Sequence, residues 1–475
     1  MSLTHLAHHA VLGPTLALPL NVLPPGWETS GWHRDMIVTP VVYDNDSPTP
    51  VRTTHVRNGW LHLPRFQGMS LVGHVADDRR SVGEPMSDLV FKGDLRGPQA
   101  HATSSVMHQL RGDGGAMLVL PCGFGKTVCS IWVIAQVKRR TLVLVHTGAL
   151  ADQWVDRVRT FLPGVRVGRI QQNVVDVDGC DVVVGLVQSL AKRDYERSVL
   201  STFGTVVVDE AHHIAAPWFM QALCKLPARH VLGLSATPDR KDGLGVILPW
   251  VLGPIAFRAT RDAEVVDVKM VEYVDPANQV ELRDRRGKPR CSEMLTVLSA
   301  NTTRNAKIVE CIVEHATNGR SLIVLSERRD QLLQLEELLM EHDGAVCVTP
   351  PRKRRKTEPH VVPPADTKLV IARVMGGTRG EVRDHAFAHS TVLLSTYPYA
   401  AEGIDIPRLD TLIMASPGVN IEQTIGRILR KHPDKKDPLV IDIKDPFSVF
   451  ECRGWKRFRY YRSLDYNVTS TIWSV

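Results

Sequence analysis

Ala116-Met-Leu-Val-Leu-Pro-Cys-Gly-Phe-Gly-Lys-Thr127 passes from an unbroken apolar run directly into a glycine-bearing loop that closes on Gly-Lys-Thr. The apolar run reads as a strand buried on both faces. From Lys126 onward the chain reads as a helix, with Val128, Ile131, Trp132 and Ala135 on one face. A glycine-bearing loop between strand and helix lets backbone N–H groups close around phosphate oxygens at a helix N-terminus. Gly123 and Gly125 would shape that cradle, Lys126 would reach the β- and γ-phosphates, and Thr127 would ligate Mg2+. Leu120 stands where the first glycine of G-x-x-x-x-G-K-[ST] belongs, so the loop alone is an incomplete signature.

A second element completes it. Thr205-Val-Val-Val208 reads as another buried strand and runs into Asp209-Glu-Ala-His-His213. Carboxylates at the end of a parallel strand sit where a nucleotide-bound metal must be held. Asp209 is the candidate metal anchor, and Glu210 the candidate base that orients and deprotonates a water. His212 is a candidate bridge between nucleotide and the next motif, while His213 reads as a packing residue.

Strand-like runs continue on either side: Thr141–His146, Asp181–Leu186 and Val231–Leu234 around the first pair. A second series lies at Ser321–Ser326, Lys368–Ala372, Thr391–Tyr397, Thr411–Ser416 and Leu439–Ile443. Helical periods lie between them, one carrying Leu150, Trp154, Val158 and Phe161 at intervals of a turn. Strand and helix in alternation specify an α/β fold with parallel sheets, here two of them in tandem. The expected organisation is an accessory region 1–94, a first α/β domain 95–260, a linker 261–300, a second α/β domain 301–450 and a C-terminal docking segment 451–475. Within the second domain, 348–367 is rich in proline and charge and reads as an insertion.

The 58 Lys and Arg against 51 Asp and Glu leave +7, and five of those charges come from Arg352–Lys356 alone. Net charge therefore says little about a polyanionic partner. The eight cysteines form no C-x-x-C pair, which points to reduced thiols and an intracellular setting, nucleus or cytoplasm. No run reaches the length of a membrane span, so no membrane partner is expected. Residues 1–27 lack Lys and Arg and are broken by four prolines, unlike a signal peptide.

Taken in order, the motifs resemble those of the superfamily 2 helicases, DEAD/DEAH-box-like, and most those of the XPB-type branch with its relatives in large DNA viruses. The resemblance runs from Leu95 to about Tyr466. Leu95-Arg-Gly-Pro-Gln99 resembles the motif whose Gln reads adenine, and Thr141–Trp154 resembles motif Ia, with His146 where Pro is usual. Gly185–Leu190 resembles motif Ib and Ser235–Gly243 motif III. Leu325–Arg328 resembles motif IV, Thr396 with Glu402–Pro407 motif V, and Gln423–Arg430 motif VI.

The resemblance implies two RecA-like domains with ATP and Mg2+ between them. Arg427 and Arg430, three apart on an expected helix, would act on the γ-phosphate. Asp405 would touch the ribose or couple the domains. Ser235, Thr237 and Gln423 would couple hydrolysis to movement. Thr147, Gln188, Ser189 and Thr396 would contact a sugar–phosphate backbone, or else serve as helix caps and turn residues. The branch implies duplex or partly single-stranded DNA as the track, with RNA as the alternative, and transcription or repair as the setting. Rival readings are a nucleotide-gated nucleic-acid clamp with weak or no ATP turnover and the motor of a restriction-type nuclease, though 1–94 shows no nuclease constellation. Arg352–Lys356 reads as a nuclear-import signal, as auxiliary phosphate contacts, or as a solvated loop. Trp455-Lys-Arg-Phe-Arg-Tyr-Tyr-Arg462 reads as a docked helix in preference to a base-stacking platform.

Overall fold

A computed structural model describes residues 3–41, 48–86, 88–121, 123–215, 217–238, 240, 242–260, 265–349, 361–418, 421–430 and 432–474. The basic run Arg352–Lys356 lies outside the described residues, as does Cys122. The chain divides into two compact units, Met1–Thr260 and Arg261–Val475.

Each unit is built on an eight-stranded sheet. In the first, the strands are β1 (Gly115–Val119), β2 (Thr141–Val145), β3 (Val167–Gln171), β4 (Val174–Asp176), β5 (Val182–Leu186), β6 (Thr205–Val208), β7 (His230–Ser235) and β8 (Ile255–Arg258). They lie in the order β4-β3-β5-β2-β6-β7-β1-β8, parallel except for the β3–β4 hairpin. The unbroken apolar runs are explained by burial on both faces. Along β2, Leu142 and Leu144 enter one core while Val143 and Val145 enter the other. Each such side chain withdrawn from water contributes roughly 1.5–3 kcal/mol.

The second unit carries β9 (Asp267–Val274), β10 (Leu322–Ser326), β11 (Val346–Cys347), β12 (Val370–Val374), β13 (Val392–Thr396), β14 (Thr411–Met414), β15 (Leu439–Lys444) and β16 (Asn467–Ser474). The order is β11-β12-β13-β10-β14-β15-β9-β16, with parallel pairing throughout. The α/β class with two parallel sheets is therefore as the sequence demands. Residues 261–300 differ from the expected linker, because β9 lies inside the sheet between β15 and β16. Its charges Asp267, Lys269 and Glu272 interrupt the buried Val268, Met270, Val271 and Tyr273, so it lacks the unbroken apolar run of its neighbours.

Residues 1–94 hold a small five-stranded sheet and their own apolar cluster, yet they fold into the first unit. The join is made by α1 (Arg65–Val72). The buried Arg65 guanidinium donates to the carbonyls of Ala228 (2.7 Å) and Leu226 (3.0 Å). Phe66 fills the space a β-carbon on Gly115 would need, 2.1 Å from its ring. Burial pushes the Arg65 guanidinium down to about 9, still charged at neutral pH. Arg65→Ala strands two buried carbonyls and is expected to destabilise this unit by roughly 2–4 kcal/mol, read as a lowered Tm.

Candidate nucleotide and nucleic-acid sites

Parallel strands place every loop after a strand end on one rim of the sheet, and the candidate residues collect there. In the first unit the 121–127 loop follows β1, Thr147 follows β2, Gln188 follows β5, Asp209 follows β6 and Thr237 follows β7.

Two glycines bend the loop: Gly123 has φ +82° and Gly125 φ +102°, conformations in which a side chain would be strained. A β-carbon on Gly125 would also meet Gln99 Nε2 at 2.4 Å. The buried Gln99, in α2 (Gly97–Gly112), donates to the Phe124 carbonyl (2.7 Å) and accepts from the Arg96 backbone N–H (3.0 Å). The Arg96 guanidinium donates to the same Phe124 carbonyl and lies 6.0 Å from the Phe124 ring. Gln99, expected to read a base, thus braces the loop here. Helix α3 (Lys126–Val137) starts from Gly125 with no side-chain cap, so its first N–H groups are left for an anion. Lys126 Nζ reaches back to the Leu120 carbonyl (3.1 Å), inside the concave side of the loop. Thr127 occupies the first turn, half-buried. The buried face of α3 is broader than expected, with Cys129, Ile131, Val133, Ile134 and Ala135 inside and Val128 and Trp132 only half-buried.

Asp209 is held from two sides. Its Oδ2 accepts from the Trp154 indole N–H (2.7 Å), and its Oδ1 from the backbone N–H of Glu210 (3.0 Å). Trp154 comes from α4 (Gly148–Phe161) and is buried at 1% exposure. Helical periodicity marks it only as core; the indole nitrogen, which a buried Trp must satisfy, is the signal that it has a polar partner. Glu210 adopts φ +46°, a left-handed conformation costing about 1–2 kcal/mol for a residue with a side chain. Its Oε2 lies 3.4 Å from His212 Nδ1, and no hydrogen bond reaches that oxygen among the described residues. A nearly buried carboxylate oxygen with an uncommitted lone pair is suited to take a proton from water. The His146 and His213 rings lie 4.3 Å apart, and His212 and His213 4.2 Å. His213 thus joins a histidine cluster beside the strand end that carries Asp209.

Burial first, then the charge of Glu210, push the Asp209 carboxyl up to about 6, against the pull of Trp154 and Lys126. The unfolded chain ionises this group near ~3.9. The folded state therefore binds the proton more tightly, and stability is lost as pH rises from about 4, the loss being complete above about pH 6. Asp209→Asn keeps only one of the two acceptors, so the test is the pH dependence: its Tm relative to wild type is expected to be more favourable at pH 7.5 than at pH 5, with ATP turnover abolished. A Tm difference that does not become more favourable from pH 5 to pH 7.5 would contradict this electrostatic account.

The neutral hydrogen-bonders are engaged within the protein. Thr147 Oγ1 accepts from the Leu150 N–H (3.3 Å) and caps α4. In α5 (Val187–Lys192), Gln188 Nε2 donates to the His146 carbonyl (2.7 Å), leaving its buried Oε1 without a partner among the described residues. Ser189 Oγ accepts from the Gln172 N–H (2.9 Å). Lys225 Nζ donates to the carbonyls of Leu190, Ala191 and Arg193, closing the C-terminal end of α5. Ser235 Oγ accepts from the Thr237 N–H (3.2 Å), and the Ser235 carbonyl accepts from the Leu120 N–H (3.0 Å), tying the 235–237 turn to the strand before the loop.

In the second unit Thr396 ends β13 and Gln423 sits half-buried in α6 (Glu422–Ile428). Arg427 donates to the carbonyls of Ile404 (2.8 Å) and Ala401, and Arg430 pairs with Asp405. Both arginines thus converge on 401–405. They do not share a helix face, because α6 stops at Ile428 and Arg430 lies past the C-cap, Leu429. Lys435 Nζ, donating to the carbonyls of Ile428 and Arg430, satisfies groups that a continued helix would have used.

Residues 92–240 match the family model described as "Type III restriction enzyme, res subunit". A protein of Acanthamoeba polyphaga mimivirus, L396, carrying the name of an ATP-dependent RNA helicase, is 30% identical over 446 residues, 91% of this chain and 81% of that one. The chain belongs to the superfamily 2 helicases. QP509L of African swine fever virus, similarly named, is 28% identical over 376 residues, 75% of this chain and 70% of its own. Dbp5 of S. cerevisiae, solved bound to RNA and ADP BeF3, superposes with a TM-score of 0.51 at 13% identity, covering 78% of this chain and 89% of Dbp5. That likeness establishes the tandem RecA-like fold.

The residues of this helicase fit a magnesium nucleotide: an uncapped helix N-terminus, two left-handed glycines, a lysine inside the loop and two adjacent carboxylates. Lys126 and the loop N–H groups would hold the phosphates, and Thr127 and Asp209 the metal. The metal would supply charge neutralisation to the leaving phosphate. Glu210 would remove the proton of the attacking water, and Trp154 holds one carboxylate oxygen of Asp209 in place.

Proposed function

We propose that this helicase is a nucleic-acid-stimulated ATPase of the XPB-type branch that translocates on duplex DNA in transcription, in the manner expected of relatives from large DNA viruses. The observation that carries the motor reading is the assembly of Lys126, Asp209 and Glu210 on one rim, with Trp154 linking Asp209 to the helix that Thr147 caps. A backbone contact at Thr147 would thereby bear on the metal-anchoring carboxylate. Arg427 and Arg430 would stabilise charge developing on the γ-phosphate, their present partners being groups they exchange for it. Contacts through Thr147, Gln188, Ser189 and Thr396 would grip the backbone without reading sequence.

The names of L396 and QP509L favour a second reading, an RNA track. ATP-dependent displacement of a third strand from a DNA triplex, measured beside unwinding of an RNA duplex with a single-stranded overhang, separates the two. Triplex displacement without RNA unwinding is the expected result; RNA unwinding alone would assign the RNA track.

A further inference from the structure

The basic and aromatic run near the C-terminus has two faces. Helix α7 (Ser448–Ser463) buries Phe450, Gly454, Arg457 and Tyr461 against the second unit. Arg457 pairs with Asp442 (2.7 and 2.8 Å) and donates to the Gly418 carbonyl (3.0 Å). Arg453 donates to the Pro417 carbonyl (3.1 Å) and lies 3.5 Å from Glu327. Glu327 follows β10, Pro417 and Gly418 follow β14, and Lys444 ends β15. The docked face therefore fixes α7 across the rim formed by strand C-terminal ends, the rim that also carries Thr396.

The other face points to solvent. Trp455 is 49% exposed, and no other Trp, Tyr or Phe among the residues with a described side chain is exposed. Lys444 Nζ stands 4.7 Å from its ring centroid and Phe458 meets it edge-on at 5.7 Å, which fixes the indole. Lys456, Arg459 and Arg462 are exposed and form no ion pair among the described residues, whereas the rim acids Glu272 and Glu327 are matched by Lys444 and Arg453. The single acid on α7 is Glu451, one turn before Trp455. An immobilised exposed indole beside unpaired cations is the chemistry of a single-strand platform, a base on the ring and phosphates on the cations. We propose that Trp455, with Lys456 and Arg459, binds a single strand of nucleic acid by stacking, an inference that rests on the motor reading above.

The test measures anisotropy of a labelled oligo-dT and of an abasic strand of equal length, using the full chain. Trp455→Ala is expected to weaken oligo-dT binding about tenfold, within the range of one lost base stack, and to leave the abasic strand unaffected. Trp455→Phe should stay within about threefold of wild type. Lys456→Ser/Arg459→Ser, altering solvated side chains only, should weaken both strands and reduce the salt slope by about 1.4. ATP turnover without nucleic acid should be unchanged in all three. Wild-type oligo-dT affinity in Trp455→Ala, or equal losses on both strands, would overturn the stacking platform while leaving the motor reading intact. An unchanged salt slope in the double variant would overturn the phosphate contacts. A wild-type protein that binds no nucleic acid at all would remove both readings.

Discussion

Glu210→Gln is expected to lower kcat for ATP by about a hundredfold or more, the usual range for losing a general base, with nucleotide affinity changed by less than about threefold. The amide keeps the size of the carboxylate and cannot accept the proton from water. The cradle is untouched, because Gly123, Gly125, Lys126 and Thr127 belong to a different loop. Stopped-flow binding of a fluorescent ATP analogue beside steady-state phosphate release checks both halves. Retention of more than about a tenth of wild-type kcat, only ~1.4 kcal/mol of barrier, would remove Glu210 from the role of base. Because Glu210 holds a left-handed backbone, Glu210→Gly serves as a second probe. It should relieve strain and raise Tm while being at least as inactive.

The second large effect is on stability. Arg304 and Asp445 are both fully buried in the second unit, joined by bonds of 2.9 and 3.0 Å, with the guanidinium also donating to the Ala415 carbonyl (2.6 Å). Desolvation raises the Asp445 carboxyl, and the Arg304 charge opposes that shift. Arg304→Met removes the compensation and leaves a carboxylate alone in an apolar interior, at a cost of about 3–5 kcal/mol. For a unit of this size that corresponds to a Tm lowered by on the order of 10 °C. Arg304→Met/Asp445→Leu, which removes both charges, should recover most of the loss. A single variant within about 1 kcal/mol of wild type in chemical denaturation would show that the pair is not holding the unit together.

The parts of this fold visible in the sequence are those where chemistry or packing permits few alternatives. A strand buried on both faces must be unbroken and apolar, which makes β1, β2, β6 and β10 legible directly. The 121–127 loop and the Asp209–Glu210 strand end are legible because the phosphate cradle and metal anchor proposed there would need fixed residue types at fixed places. β9 reads as linker because Asp267, Lys269 and Glu272 interrupt its apolar residues, although Val268 and Met270 enter one core and Val271 and Tyr273 the other. Trp154 and Asp209 meet across 55 positions of sequence, a contact that only the parallel order of β2 and β6 creates. Arg65, Arg304 and Arg457 look like surface cations in a one-dimensional reading. Each is buried because carbonyls or a carboxylate from distant segments take its donors. The run around Trp455 shows the converse: one sequence supplies a docked face and an exposed one, and helical periodicity divides them.

The most direct test of the motor reading is steady-state ATP hydrolysis by the purified chain with and without saturating nucleic acid, with Lys126→Ala as the blank. Duplex DNA, single-stranded DNA and RNA are each supplied in turn. Turnover is expected to rise about tenfold or more with at least one of them and to vanish in Lys126→Ala. Turnover that is absent under every condition, or that persists in Lys126→Ala, would contradict a phosphate cradle that drives a nucleic-acid motor.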